Sequence, residues 1–385
     1  MKIVYLTSRF PYPLEKGDKL RAYYQIESLA SDHEIHLISI HDAEIKKADL
    51  EKLRPITASI HLVTITPFER FTSILRAFTT GIPYQIAWFY SRYADDQIRQ
   101  IINDITPDHV FCQLPRMAEY AMHLPYPKTL DYMDCFGVGM YRRAQVARGL
   151  LAPMYRNEAE RMIHYEEKIS NKFDHLTIIS EQDKNQFSFE NAKHIQVISN
   201  GISTLFFDYL KNHDPEYDII FVGNMSYLPN IESVEYLITQ VVPLLSKPLK
   251  ILIAGTCPAP RIQKLAEKNV IVSGWIDDIR SAYTNAKIFV APMWSGTGQQ
   301  NKILEAMALG VPCITTSLVN NAIGAQDGKE ILLAENAHEF AKAIEKILAD
   351  DLLYDSISMN SMQYVRQNFD WNQQSKLLSS IFAAK

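Results

Sequence analysis

"WSGTGQQNKILEAMALGVP" occupies residues 294–312. A polar turn containing Gly296, Thr297 and Gly298 leads into a segment whose apolar residues, Ile303, Leu304 and Met307, recur at helical spacing. Immediately before it stands "IFVAPM" at 288–293, a continuous apolar run of the kind that forms a strand buried on both faces. Strand, glycine turn and helix together form the unit from which doubly wound α/β domains are built. In such sheets, ligands sit beyond the carboxyl ends of the strands.

Outward from this unit, the same alternation fills the chain. Toward the N-terminus the strand-like runs are 2–8, 35–40, 60–65, 109–114, 128–134, 175–180 and 195–199, separated by helical stretches such as 19–31, 94–105 and 142–172. The pattern then restarts with runs at 217–223, 250–255, 270–275, 288–293, 313–316 and 331–334, and with helices at 231–246, 259–268, 300–309 and 337–349. Alternation of this kind implies parallel sheets. Two successive series imply an α/β protein of two doubly wound domains. Polar and turn residues interrupt the pattern at 200–218. This places one domain at 1–200 and the other at 201–370. Two final helical segments, 351–366 and 371–382, follow, and the last stretch, 371–385, is assigned back to the first domain.

Composition restricts the function classes. The 385 residues are 47% hydrophobic and 22% charged, with a formal charge of -5 and no basic excess of the kind a nucleic-acid binder carries. Cys112, Cys135, Cys257 and Cys313 form no paired spacing and read as small buried residues of a reducing compartment. No apolar run approaches the ~18 residues of a membrane helix, and the N-terminal run is too short for a signal peptide. A cytoplasmic protein is expected.

The opening stretch suggests specific chemistry. The first amides of a helix lack intrahelical partners and carry partial positive charge, so a phosphate placed there accepts several hydrogen bonds. Gly296 and Gly298 permit close backbone approach and positive φ. Lys302 and Glu305 are three apart and share one helical face. The lysine suits a phosphate, and the carboxylate suits two vicinal hydroxyls such as those of a ribose. Spacing alone favours a capped core helix with a surface Lys–Glu pair.

"NKILEAMALGVPCITT" resembles the C-terminal motif of two-domain glycosyltransferases of the GT-B fold, retaining family 4 (group 1) type. "GQQNKILEAMALGVP", "RFPYPLEKGDKLRAYY", "DYMD", "SNGI", "FVGNMSYLPNIESVEYL" and "GWIDDIR" are similar to a bacterial branch of that family, the sugar transferases associated with exopolysaccharide and exosortase (PEP-CTERM) systems. The resemblance implies two Rossmann-like domains facing a central cleft. A nucleotide sugar such as a UDP- or GDP-sugar would be bound mostly by the second domain. A saccharide or lipid-linked acceptor would be bound mostly by the first. No metal or other cofactor is implied.

Site residues follow from the resemblance. Glu305 matches the second glutamate of the family's E-x7-E motif, which binds the donor ribose. Thr297 stands where the first glutamate would be. Gly17, Gly223, Asn224, Trp275, Ile276, Gly296, Gly298, Gln299, Gln300 and Lys302 complete the expected donor site. Lys302 also stands in for the basic clamp that the family places after the first strand of the second domain, with Arg280 as a lesser candidate. Asp131 and Asp134 end a strand at the expected acceptor edge, where one would orient or deprotonate the acceptor hydroxyl, and Arg21 joins them there. His109, His164 and His175 read as scaffold or surface residues. Residues 140–162 carry five arginines among apolar residues. They either attract anionic lipid or a lipid-diphosphate acceptor, giving peripheral contact with the inner face of the cell membrane, or form an ordinary solvated helix. A nucleotide-sugar 2-epimerase of the same fold and a catalytically degenerate nucleotide-binding subunit are the alternatives.

Overall fold

The computed structural model describes residues 1–41, 45–149, 151–209, 214–295 and 298–383. The chain divides into two compact units, Met1–Ser199 with Trp371–Lys385, and Asn200–Asp370.

The first unit is built on seven parallel strands: β1 (Lys2–Thr7), β2 (Glu34–His41), β3 (Ser59–Thr64), β4 (His109–Gln113), β5 (Lys128–Asp131), β6 (His175–Ile178) and β7 (Gln196–Val197). Their order is β3-β2-β1-β4-β5-β6-β7, with every pair parallel. Side chains alternate between two cores, as the strand period of two requires. Val4 and Leu6 of β1 face a cluster with Ile98, Ile102, Met162 and Ile169, while Ile3 and Tyr5 face one with Ile26, Phe111, Leu378 and Phe382. Central β1 and β4 read as continuous apolar runs because both of their faces are covered. β3 lies at the sheet edge and is mostly half-exposed.

The helix Trp371–Ala383 belongs to this first unit. Trp371 stacks on Tyr24 at 5.4 Å, and the Phe382 ring lies 4.5 Å from that of His109. The helical stretch expected at 142–172 is two helices, Phe136–Val146 and Leu151–Ser170. Ala147 is extended at ψ 149°, and Gly149 sits at φ 62°, so the first helix cannot propagate.

The second unit has six parallel strands, β8 (Tyr217–Val222), β9 (Ile251–Ala254), β10 (Val270–Gly274), β11 (Ala286–Ala291), β12 (Cys313–Thr315) and β13 (Leu332–Leu333), in the order β10-β9-β8-β11-β12-β13. The helix expected at 231–246 starts earlier, at Leu228–Tyr236, with Pro229 in its first turn, and it degrades into a π turn at Leu237–Val241. The one expected at 259–268 shrinks to Pro260–Gln263, because Glu267 and Val270 exchange backbone hydrogen bonds in a tight turn. Cys257 is exposed, unlike the other three cysteines, and departs from the expectation of burial. Among the described residues no helix is long and apolar enough to cross a membrane.

Each sheet reverses its strand order once, between β1 and β4 in the first unit and between β8 and β11 in the second. In open α/β sheets such reversals open a crevice at the carboxyl ends of the strands. The segments after these four strands, together with those after β5 and β10, carry the candidate site residues.

Candidate functional site

In the second unit, the segment after β11 enters the helix Asn301–Ala308, which buries Ile303, Leu304, Ala306 and Met307. Lys302 and Glu305 are half-buried and do not form a surface pair. The Lys302 ammonium donates to Asn230 Oδ1, lies 3.8 Å from Met293 Sδ, and sits 4.9 Å from the centre of the Phe221 ring. Burial pulls Lys302 down to about 7, and the charge of Glu305 opposes that fall. The Asn230 oxygen and the ring face both favour the ammonium, so a substantial fraction of the charge survives at neutral pH. Glu305 Oε2 accepts a 2.9 Å hydrogen bond from the buried Tyr283 hydroxyl. Burial raises the Glu305 carboxyl, while Tyr283 and Lys302 hold it down.

Asn230 is the residue that organises this corner, and sequence reasoning missed it. Its Nδ2 donates to the Asn224 carbonyl at 2.9 Å while its Oδ1 receives Lys302. A Cβ on Gly223 would lie 2.6 Å from Asn230 Nδ2, so Gly223 makes room for that side chain. Gly255, at φ 136°, is tighter still, since a Cβ there would fall 1.8 Å from the Gly223 carbonyl oxygen.

The remaining donor-side residues are placed as follows. The Asn224 side chain accepts from the Ser226 amide and hydroxyl at 2.9 and 2.7 Å. Gln299 is buried, and both ends of its amide hold the backbone of Asn200 at 3.1 Å, so it is committed to the scaffold. Gln300 is half-buried at the helix N-cap, with no side-chain capping bond. Gly298 sits at φ 71°. Trp275 is 65% exposed and donates to Asp277 at 2.9 Å, whereas Ile276 packs half-buried on the core. Arg280 forks onto Asp278 at 2.8 and 2.9 Å. Gly296 and Thr297 lie outside the described residues.

The first unit corrects two expectations. Arg21 and Asp131, expected to meet the acceptor, form an ion pair at 2.7 and 3.0 Å with both side chains fully buried. Thr177 donates to the same carboxylate at 2.9 Å. Two charges neutralised inside the fold brace the helix Gly17–Leu29 against β5 and offer no surface to a ligand. Asp134 differs. It is half-buried, and its Oδ1 has no hydrogen-bond partner among the described residues. Burial and the neighbouring Asp183 push its carboxyl up to about 7, against the pull of Arg116 and Arg143. Near neutral pH it therefore exchanges its proton readily, as a general base requires. Gly17 lies beside this loop, and a Cβ there would come 3.1 Å from Met133 Cε. Arg9 pairs with Asp18 at 2.6 Å nearby. His109 is buried scaffold, hydrogen-bonded to Thr129 at 2.9 Å, and burial lowers it to about 4.

Residues 216–350 match the family model "Glycosyl transferases group 1". Along 99% of both chains, the protein is 24% identical to an uncharacterized 44.6 kDa protein in the cps region of Klebsiella pneumoniae. Its structure resembles a sucrose-phosphate synthase of Thermosynechococcus elongatus, with TM-score 0.72 and 18% identity over all of both chains. It also resembles Anabaena Alr3699/HepE in complex with UDP and glucose, with TM-score 0.73 and 14% identity over 100% of this chain and 99% of that one. The group 1 glycosyl transferase match thus lies within the second unit, and the chain has the GT-B fold.

Proposed function

We propose that the protein transfers a sugar from a nucleoside diphosphate sugar to a saccharide or lipid-linked acceptor during surface-polysaccharide assembly. Transfer proceeds with retention at the anomeric carbon and without a metal. The observation that carries this reading is the Lys302–Glu305 pair, held by Asn230 and Tyr283 at the start of the helix that follows the switch-point strand. The helix amides and Lys302 meet the diphosphate, and Glu305 takes the ribose hydroxyls. The charge growing on the leaving diphosphate is stabilised where donors already stand, which is the largest catalytic term for such groups. The leaving phosphate itself takes the acceptor proton. The HepE complexes with UDP and with UDP-glucose support a uridine nucleotide as donor. The cps-region relative supports a polysaccharide product. In this reading the work takes place on the cytoplasmic side, with peripheral contact to the membrane.

The test is a thermal-shift titration with UDP, GDP and their sugars, since a ligand of the folded state raises apparent stability by mass action. A uridine nucleotide raises the melting temperature of the wild type. Glu305→Ala removes that shift without changing the unliganded fold. An undiminished shift in Glu305→Ala removes the residue from the donor site.

A further inference from the structure

At the switch point of the first sheet, one cation, Arg116, forms no ion pair among the described residues. Arg116 follows β4, and among the described residues it makes neither a hydrogen bond nor an ion pair. Its Nε is buried and unpartnered. Its guanidinium carbon lies 5.0 Å from the centres of both the Phe89 and Phe136 rings. Arg9 also lies over Phe89, at 5.7 Å, but its charge is taken by Asp18. Burial lowers Arg116 to about 10, so it stays cationic at neutral pH.

The backbone carrying these groups is strained. Leu114, two residues before Arg116, sits at φ 71°, ψ 146°, a region open in practice to glycine alone, and Met133, next to Asp134, sits at φ 64°. Such conformations cost on the order of 1–3 kcal/mol each and persist where the surroundings over-determine them, above all at ligand sites. Leu114 is pinned by its buried side chain and by its amide bond to the Asp131 carbonyl at 2.8 Å. Two strained turns thus present two polar groups without hydrogen-bond partners, Arg116 Nε and Asp134 Oδ1, on the loops after adjacent strands.

We propose that Arg116 anchors a phosphoryl group of a ligand bound to the first unit, with Asp134 receiving a hydroxyl of the same ligand. The proposal rests on the transferase reading, in which both substrates can carry phosphoryl groups. With aromatic rings against the guanidinium, its planar N–H edge is what remains for a ligand, and that fork matches phosphate oxygens bidentately. The phosphoryl group belongs either to a lipid-linked diphosphate acceptor or to the nucleotide.

Calorimetric titration of the full chain with farnesyl diphosphate and with UDP separates the two sources. Arg116→Met keeps an apolar stem between the rings and removes the charge, while Arg116→Lys keeps the charge without the fork. On the acceptor source, Arg116→Met weakens farnesyl diphosphate at least tenfold, leaves UDP within twofold of wild type, and Arg116→Lys recovers part of the loss. A loss confined to UDP, recovered in part by lysine, supports the anchor and assigns it to the nucleotide. Unchanged affinity for both ligands overturns the proposal, as does a loss that lysine fails to recover. Failure of the wild type to bind either UDP or GDP sinks the transferase reading itself, whereas a wild type that binds UDP beside an indifferent Arg116→Met sinks only this inference.

Discussion

The two switch points differ in how they treat charge. In the first unit, Arg21 and Asp131 pair with each other and are lost to the surface, while on the loops after β4 and β5 Arg116 Nε and Asp134 Oδ1 have no hydrogen-bond partner among the described residues. In the second, Lys302 rests on an amide oxygen, a sulfur and a ring face, and Glu305 turns to a tyrosine hydroxyl. A charge closed onto an equal and opposite one has no field left for a substrate. A charge given neutral partners keeps its field and can be matched by an incoming phosphate. The distinction between scaffold and site lies in the partner rather than in the residue type.

The largest effect expected from disturbing this contrast is on the closed pair. Asp131→Ala strands a buried guanidinium and should cost about 3–5 kcal/mol in a denaturant titration, whereas Arg21→Met with Asp131→Leu should cost much less. Equal losses would mean that the pair is not the brace described here. Next comes Lys302→Met, for which transfer should fall on the order of 10²–10³. Its stability should move the other way. The folded-state value of Lys302, about 7, lies below the ordinary lysine value, so the charged form costs stability at neutral pH, and that cost fades as pH rises toward 10.5. Lys302→Met should therefore melt no lower than wild type at pH 7, and a marked drop would show the lysine to be structural.

A smaller effect sharpens the role of Asp134. If its carboxylate assists transfer, kcat/KM should climb about tenfold per pH unit below about 7 and level off above it, and Asp134→Asn should flatten that limb. Its raised carboxyl also means that stability contributed by the protonated form is present at low pH and is lost between the usual carboxylate range and about 7. The least effect belongs to Trp275→Ala. Being 65% exposed, the side chain should leave stability within about 0.5 kcal/mol, and only nucleotide affinity should respond.

Much of the fold is legible in the sequence because central strands covered on both faces are mostly apolar along their buried length. β1, β4, β8 and β11 show it. Short edge strands such as β7 and β13, and the helix that stops at Gln263, are set by tertiary pairing and turn geometry that no local pattern carries. In the site, the spacing of Lys302 and Glu305 marks a shared helical face. Their inward partners do not show, since Asn230 lies 72 positions from Lys302 and Tyr283 lies 22 from Glu305. Arg21 reads as a plausible ligand-facing residue because its counter-ion is 110 positions away. Arg116 draws no notice in "QLPRM", because Phe89 and Phe136 meet it only once the sheet has formed.

The helix Trp371–Ala383 has a consequence for the order of folding on the ribosome. Domains ordinarily complete themselves from the N-terminus as synthesis proceeds. Here the earlier-made unit must wait for Leu378, Ile381 and Phe382 to close one of its two cores, while the later-made unit, Asn200–Asp370, is contiguous and has all its residues first. A released chain truncated after Asp370 would carry a finished C-terminal unit and an N-terminal unit still open on the side that Ile3 and Tyr5 face, and limited proteolysis of that truncated chain would detect the inversion.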